Sequence, residues 1–422
     1  MAPGVPPRRR RAILVPARIW SLAPARTLAV PQYRRLWFAS LLWNHARWID
    51  QVIIGWLVLE ITNSAWNVAL TGVLRSLPVL VFGILGGAIA DRVNRRSLLI
   101  VSQASGLVVA LAVASFIAAG SFTFETAMVA SLLFGLQWAI DFPVRRALVP
   151  DLVGREMTVN AIALESVSMN FSKVIGPLVA GWLIAVVGAW TGYVAIAALF
   201  GAQIVLIAPL RLPPGVPAMS GESLARYVAR GFGEMRRSQA MVGVLLITVY
   251  MNVLAFPYQT LLPVFARDVL GVDSIGLGVL GAASGIGSFL GAMVLASKGS
   301  LPRPGWLFAS GSVAMSGSLI AFALTRDFGV AIGALAISGL GSSAFAALQS
   351  TIILRSASDH LRGRAMGILT MAIGTAPFGL LEIGALSVAI GPPVALALNA
   401  GLCAILVAAT AAALPGFRSL RR

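Results

Sequence analysis

The sequence predicts an all-α integral membrane protein with twelve transmembrane helices in two six-helix pseudo-repeats. Its composition is the first observation: 58% of the 422 residues are hydrophobic, 11% are charged, and the mean hydropathy is +0.88. Soluble domains carry about 25% charged residues and could not bury this much apolar surface in one core. Second, the apolar residues form twelve runs of roughly 20 residues, the length of a membrane-spanning helix. Third, a polar segment at 211–238 separates the first six runs from the last six.

The apolar runs are separated by short polar segments, and these separations give the predicted helix bounds. The predicted spans are 36–59, 66–90, 97–119, 126–148, 159–187, 190–209, 239–263, 275–296, 306–324, 328–354, 364–388 and 393–414. The first run is interrupted by Asn44, His45, Arg47, Asp50 and Gln51, so it has the weakest membrane signal of the twelve.

The basic residues predict the orientation of the chain. With the N-terminus inside, 27 of the 32 lysines and arginines fall in cytoplasmic segments, two fall in outside loops and three lie within spans. Short cytoplasmic loops carry this excess of positive charge in membrane proteins. We therefore predict a multi-pass membrane protein with both termini in the cytoplasm. The net charge of +17 lies in clusters between the spans, so we expect a lipid bilayer and no nucleic acid as partner.

The polar segments also predict the domain organisation. Its parts are a disordered basic cytoplasmic tail at 1–35, a six-helix bundle at 36–210, a cytoplasmic linker at 211–238, a second six-helix bundle at 239–414 and a cytoplasmic tail at 415–422. The two bundles contain a repeated motif: the segment at 151–155 after the fourth run resembles the segment at 359–364 after the tenth. Repeated halves of this kind are typical of transporters that bind their solute near the membrane midplane.

The residues that usually carry catalysis or hold cofactors are scarce. The chain has one cysteine, Cys403, and two histidines, which excludes a disulfide framework and a histidine-based zinc site. No Gly-Lys pair exists to build a phosphate-binding loop. The glycines at 276–281 match a dinucleotide fingerprint, but they begin an apolar run, where small residues serve helix packing. We expect no enzyme activity and no cofactor, and energy from ATP hydrolysis would have to come from another chain.

Several motifs resemble those of a known transporter family. The stretch Gly87-x-x-x-Asp91-Arg92-x-Asn94-Arg95-Arg96 follows the second run and is similar to the loop signature of the major facilitator superfamily. Segments at 33–37, 77–78, 148–153, 176–177 and 362–364 resemble the drug/proton antiporter branch, which includes enterobactin exporter-like proteins and transmembrane secretion effectors. The resemblance implies the major facilitator fold and proton-coupled efflux of an amphipathic or lipophilic small molecule. Uptake or exchange of a metabolite is the alternative, as is a transport-inactive sensor. We expect a functional monomer.

The loop motif has two interpretations. The resemblance implies that Asp91 latches the two halves together, with Arg145 or Arg146 as its ion partner; the other interpretation is a positive-inside topology signal. Asn94 replaces the second glycine of the signature, and we expect it to adopt positive φ. The candidate gating residues are Gly87, Asp91, Arg92, Arg95, Arg96, Arg145 and Arg146.

Polar residues of the first run are the main candidates for the transport pathway. On a helix, Asn44, Arg47, Asp50 and Gln51 fall within an arc of about 120°. Ionisable groups in a membrane helix are costly and face a cavity or one another. Asp50 is therefore either a proton carrier or cation contact with Arg47 or Arg75 nearby, or one partner of a structural Arg47–Asp50 pair.

Other helices supply the remaining candidates. Glu165 and Lys173 lie on the fifth run, and Asp141 on the fourth is a candidate partner for Lys173. Gly176, Pro177 and Gly181 resemble the antiporter signature of that run and predict close helix packing. The other predicted pathway residues are Trp138, Tyr250, Asn252 and Tyr258.

Overall fold

The chain folds as long helices, and no strand occurs in the part of it that the structure describes. The structure is a computed structural model and describes residues 26–90, 94–211, 236, 238–297, 303–357 and 362–418. The helices of the first half are α1 Pro31–Thr62, α2 Ala65–Ala90, α3 Arg95–Ala118, α4 Phe124–Val153, α5 Thr158–Val186 and α6 Ala189–Ile207. The second half contains α7 Gln239–Val269, α8 Ser274–Ser297, α9 Pro304–Leu324, α10 Phe328–Ser356, α11 Arg362–Ile390 and α12 Pro392–Ala413, of which α7 and α11 are interrupted.

The membrane fold predicted from hydropathy is confirmed. Within the described ranges, ten helices are long and apolar enough to cross a membrane. Helix α1 is not among them because of its polar residues, and in α2 the apolar stretch is Ala65–Val81. Most of the predicted linker at 211–238 lies outside the described residues.

Helices extend beyond the predicted bundle bounds of 36 and 414 at both ends of the described chain. Helix α1 begins at Pro31, inside the segment predicted as tail, because proline at the first helical position loses no hydrogen bond. At the other end a short helix, α13 Pro415–Arg418, follows α12. Its Phe417 side chain is fully buried and packs edge-on against Phe308 of α9.

Helices α7 and α11 are irregular where the sequence predicts continuous spans. Helix α7 contains π-helical segments at Met251–Ala255 and Phe265–Val269. Pro257 and Pro263 have no N–H to donate, so regular α-helical bonding cannot continue through this region. Helix α11 is broken between Ile373 and Ala376. We name its two parts α11a, Arg362–Ile373, and α11b, Ala376–Ile390.

The two halves pack closely along α5 and α8. An added Cβ at Gly278 would lie 2.6 Å from the carbonyl oxygen of Pro177, and one at Gly181 would overlap the carbonyl of Ser274. Ser274 Oγ also donates a hydrogen bond of 3.1 Å to the Gly181 carbonyl. Small residues on both helices therefore allow contact between the backbones.

Two further contacts join the halves near the end of α1. The guanidinium of Arg267 in α7 donates a hydrogen bond of 3.0 Å to the Leu59 carbonyl. Helices α2 and α11b approach at Gly384, where an added Cβ would lie 2.7 Å from the Ala69 side chain. In the predicted orientation this end of the bundle faces outward.

The loop before α3 is only partly described, and one expectation about it is wrong. Asn94 has a φ of −60°, not the positive φ that we expected. Its side chain caps α3 instead, accepting hydrogen bonds from the backbone N–H groups of Arg96 at 3.0 Å and Ser97 at 3.3 Å. Gly87 lies within α2, whereas Asp91 and Arg92 lie outside the described residues.

Candidate functional site

A cavity of about 200 Å³ lies between the two halves. It is bounded by helices α1, α2 and α4 of the first half and by α7 and α11b of the second. The polar side chains in its wall are Arg47, Gln51, Thr71, Arg75, Ser76, Ser131, Asn252, Gln259 and Thr260. Trp138 and Phe256 add aromatic surface. We call this space the central cavity.

An ion pair adjoins the central cavity, and its arginine lines the cavity wall while its carboxylate lies behind. The Arg75 guanidinium of α2 pairs with the Asp50 carboxylate of α1, and Tyr193 of α6 donates a hydrogen bond of 2.9 Å to the same carboxylate. The Asp50 side chain is 3% exposed and that of Arg75 is 15% exposed. Such a pair persists in a membrane bundle only where the remaining polar atoms also find partners, which is the role of Tyr193.

Arg47 is not the partner of Asp50, so the hypothesis of a structural Arg47–Asp50 pair is wrong. The Arg47 guanidinium lies over the ring of Trp138, 4.0 Å from the ring centroid, in a cation–π contact. The partner of Asp50 is Arg75, which reaches it from the neighbouring helix α2. It also donates a hydrogen bond of 3.4 Å to the Arg47 backbone carbonyl.

A glycine determines how close α4 comes to this ion pair. Gly135 of α4 lies against the backbone carbonyl of Arg75, and an added Cβ would overlap that oxygen. Trp138 follows one helical turn later and packs under Arg47. The close approach therefore brings α2 and the aromatic face of α4 to the same part of the cavity.

Asp141 belongs to a buried network of the first half, so its predicted pairing with Lys173 is wrong. Its carboxylate accepts a hydrogen bond of 2.6 Å from Gln103 and lies 3.7 Å from the Arg145 guanidinium. Arg145 donates a further hydrogen bond of 3.0 Å to Gln203 and is 5% exposed. The structure thus places Arg145 inside the first half; its predicted partner Asp91 lies outside the described residues.

Lys173 contacts the second half instead. Its ammonium donates a hydrogen bond of 3.1 Å to Ser288 of α8, whose hydroxyl lies 3.0 Å from that of Ser342 in α10. Lys173 lines a narrow space beside the central cavity together with Trp48 and Tyr258. Gln51 and Gln259 line both spaces, so the two are adjacent, and we call the second one the extension.

Glu165 lines a separate cavity of about 120 Å³ formed by α1, α4 and α5. Arg145 and Arg146 line the same space, and Arg146 lies over the Phe142 ring at 4.8 Å from its centroid. One Glu165 oxygen, Oε1, is buried and accepts no hydrogen bond in the described part of the chain.

The remaining predicted residues are placed as follows. Asn44 lies 3.5 Å from the Ser168 hydroxyl, and Tyr250 packs partly buried against the core. The Tyr258 hydroxyl lies 2.9 Å from that of Ser284, and Asn252 donates a hydrogen bond of 2.9 Å to the Thr248 carbonyl. A Cβ added at Gly176 would lie 2.5 Å from the Cβ of Trp48. Arg95 donates a hydrogen bond of 2.6 Å to Asp151, which joins α3 to the end of α4.

Two residues of the site are not predicted from the sequence. Tyr193 lies in a run without charges, and Ser288 lies in a glycine-rich run where a serine indicates helix packing. A search for polar partners of the membrane-embedded charges would have raised both, since buried charges require them.

Two closely packed halves with charged groups in the cavity between them are the arrangement of a secondary transporter. The chain belongs to the family of transmembrane secretion effectors of the major facilitator superfamily, whose model matches residues 20–420. It is 25% identical over 352 residues to the staphyloferrin A transporter of Staphylococcus aureus, covering 81% of this chain and 86% of that protein. It is 26% identical over 355 residues to the enterobactin exporter EntS of Shigella boydii, covering 79% and 83%.

Solved structures support the same fold. A bacterial homologue of the human lysosomal transporter Spinster, inward-facing and unoccupied, superposes with a TM-score of 0.71 at 16% identity, covering 92% of this chain and 98% of that chain. A POT family transporter in complex with 5-aminolevulinic acid gives a TM-score of 0.74 at 11% identity, covering 91% and 96%. At these identities the likeness shows the fold alone.

Proposed function

We propose that this protein exports an amphipathic small molecule in exchange for protons by alternating access, acting as a functional monomer in the bacterial inner membrane. The ion pair between Asp50 and Arg75, beside a cavity enclosed by both halves, is the observation that carries this proposal. The names of the relatives, an enterobactin exporter and a staphyloferrin A transporter, support a small organic solute.

Asp50 is the proposed proton carrier. Its charged form is held by Arg75 and Tyr193, whereas its protonated form can no longer form the ion pair. Arg75 lies on α2, which also contacts α11b of the second half. Protonation of Asp50 would therefore alter the packing of α1 against α2, and through α2 the contact between the halves.

The state described by the structure is proposed to be the one that takes up solute from the cytoplasm. Its contacts between the halves include the Leu59–Arg267 and Gly181–Ser274 hydrogen bonds, both near the end predicted to face outward. If these contacts close the outer side, the central cavity is left for the cytoplasmic side.

The test is transport by the purified chain in proteoliposomes under an imposed pH gradient, with a panel of amphipathic compounds. We expect proton-dependent efflux that is lost in Asp50→Asn. No movement of any compound at any pH gradient would exclude the antiporter. In cells, collapse of the proton gradient should raise accumulation of the solute; lowered accumulation would indicate uptake instead.

A further inference from the structure

We infer that the central cavity and its extension bind an organic anion, with Arg47 and Lys173 as the cations that attract its acid group. This inference rests on the proposed transport function and names the chemical class of its substrate. Its basis is an excess of positive charge and of hydrogen-bond donors in the walls of the two adjacent spaces.

The first observation is the charge of the lining. Arg47 and Arg75 line the central cavity and Lys173 lines the extension, whereas no aspartate or glutamate is among the described residues that line either space. Asp50 lies behind Arg75 and neutralises it. Arg47 and Lys173 pair with no carboxylate in the described part of the chain, where their contacts are an aromatic ring and a serine hydroxyl. The lining therefore has two uncompensated positive charges.

Uncompensated cations are costly at membrane depth. Charged side chains in membrane bundles are normally paired or mark the path of an ion or substrate. Arg47 and Lys173 are each partly buried, so bulk water supplies only part of the stabilisation that a counter-ion would give. A bound anion would supply that counter-charge, whereas a cationic solute would add to the repulsion.

The second observation is independent of charge and concerns hydrogen-bond donors. Arg47 Nε, Trp138 Nε1 and Trp48 Nε1 are buried and have no acceptor in the described part of the chain. All three belong to residues that line the central cavity or its extension. An indole or guanidinium N–H can only donate, whereas Ser131 Oγ, which is also buried without a partner in the wall of the central cavity, can donate or accept. The unpartnered groups therefore include more donors than acceptors, and a carboxylate, sulfonate or phenolate supplies acceptors and no donor.

The aromatic residues define the other end of the solute. Trp138 and Phe256 line the central cavity, and Trp48 lines the extension. Planar apolar surface next to two cations suits a molecule with an aromatic or similarly flat body and one or more acid groups.

The charge of the solute also bears on the direction of transport. The interior of a cell is electrically negative, so the membrane potential drives an anion outward. One charge moved across 100 mV changes the equilibrium concentration ratio by about 50-fold. Export of an anion against proton entry would draw on the potential as well as on the pH gradient.

The binding test uses probes that share one ring and differ in charge. They are 2-naphthoate, 2,6-naphthalenedicarboxylate, neutral 2-naphthamide and the cation 2-naphthylmethylammonium, each titrated against the purified full chain in detergent with thermal unfolding as readout. We expect both anions to bind at least ten-fold more tightly than the amide, and the cation to bind more weakly than the amide. Equal binding of amide and anions, or no stabilisation by either anion, overturns the inference.

Substitutions of Arg47 and Lys173 test whether these two cations bind the anion. Arg47→Gln and Lys173→Gln should each weaken binding of 2-naphthoate by about 10- to 100-fold, the effect of one charged hydrogen bond. Arg47→Lys keeps the charge and should retain more affinity than Arg47→Gln. Arg326→Gln removes an exposed arginine outside both spaces and is the matched control. Unchanged affinity in both glutamine variants would contradict the inference.

Flux in proteoliposomes separates this inference from the proposed function. An inside-negative potential should accelerate efflux of the anionic probes more than efflux of the amide, because it drives the exit of an anion in addition to the entry of a proton. Proton-dependent transport of the amide or the cation, without transport of the anions, would overturn the anion site and leave the exporter standing. Binding of the anions without flux at any gradient would support the anion site and overturn the exporter.

Discussion

The Asp50 carboxylate in α1 pairs with the Arg75 guanidinium in α2 and accepts a hydrogen bond of 2.9 Å from Tyr193 in α6. One buried group thus joins three helices of the first half, and its arginine partner lies in the wall of the central cavity. A change in the charge of Asp50 therefore alters both the helix packing of the first half and the charge of the cavity wall.

We predict that Asp50→Asn destabilises the protein and removes proton coupling. Breaking a buried ion pair costs about 3 kcal/mol or more because the remaining charge lacks a partner. The double variant Asp50→Asn/Arg75→Gln should recover much of this stability, since no uncompensated charge is left, but it should not recover proton-dependent transport. Thermal unfolding in detergent and flux in proteoliposomes measure the two effects. Full coupling in the double variant would exclude Asp50 as the carrier.

Tyr193→Phe should have a smaller effect than Asp50→Asn. It removes one hydrogen bond to a charged group, worth about 1.5–3 kcal/mol, and keeps the Asp50–Arg75 pair. We expect a lower unfolding temperature and a shifted pH profile of transport, with proton dependence retained. A pH profile identical to that of the unmodified protein would show that Tyr193 does not influence the proton step.

A helix-packing prediction concerns Gly135. In Gly135→Ala the new methyl group would overlap the backbone carbonyl of Arg75, so α2 and α4 must separate. Overpacking of this kind costs about 1–3 kcal/mol, and it should displace Trp138 from Arg47. Gly401→Ala in α12 is the matched control, because an added Cβ there meets nothing within 4 Å. Transport and thermal stability should fall in the first variant and stay near the original values in the second.

The sequence predicted the helices well because hydropathy is a property of consecutive residues. Membrane-length apolar runs specify where a helix crosses a bilayer, and the predicted span 275–296 differs little from α8 at Ser274–Ser297. The same runs do not register a change of helical hydrogen bonding, so the π-helical segments of α7 and the break in α11 were not predicted.

The pairing within the site could not be predicted from periodicity. On one helix, spacing suggests neighbours three or four residues apart, which makes Arg47 a candidate partner of Asp50 and leaves no means to choose between it and Arg75. The actual partners come from α2 and α6, separated from Asp50 by 25 and 143 residues of chain. Only the packing of the helices decides between such partners, and Lys173 with Ser288 is a second case.

We predict that the Arg267–Leu59 hydrogen bond helps to close the outer end. Arg267→Gln removes a charged donor to the Leu59 carbonyl, and the population of outward-open molecules should rise by roughly ten-fold. The measurement is alkylation of Thr260→Cys in the central cavity by a membrane-impermeant maleimide, in a Cys403→Ser background. Arg326→Gln is the control for loss of an outer arginine. Equal alkylation rates of Thr260→Cys alone, with Arg267→Gln and with Arg326→Gln would show that this contact does not hold the outer end closed.

Glu165→Gln should lower the rate of transport and leave its proton dependence intact. Glu165 lines a cavity that Asp50 does not line, and its carboxylate offsets the charges of Arg145 and Arg146 there. Asp141 continues to compensate Arg145 in the variant, so the loss falls mainly on Arg146, and we expect a rate reduction of less than about ten-fold. The initial rate is measured across a series of pH gradients for Glu165→Gln and Asp50→Asn in parallel. If the dependence on the gradient disappears in Glu165→Gln and persists in Asp50→Asn, Glu165 carries the proton and the role proposed for Asp50 is wrong.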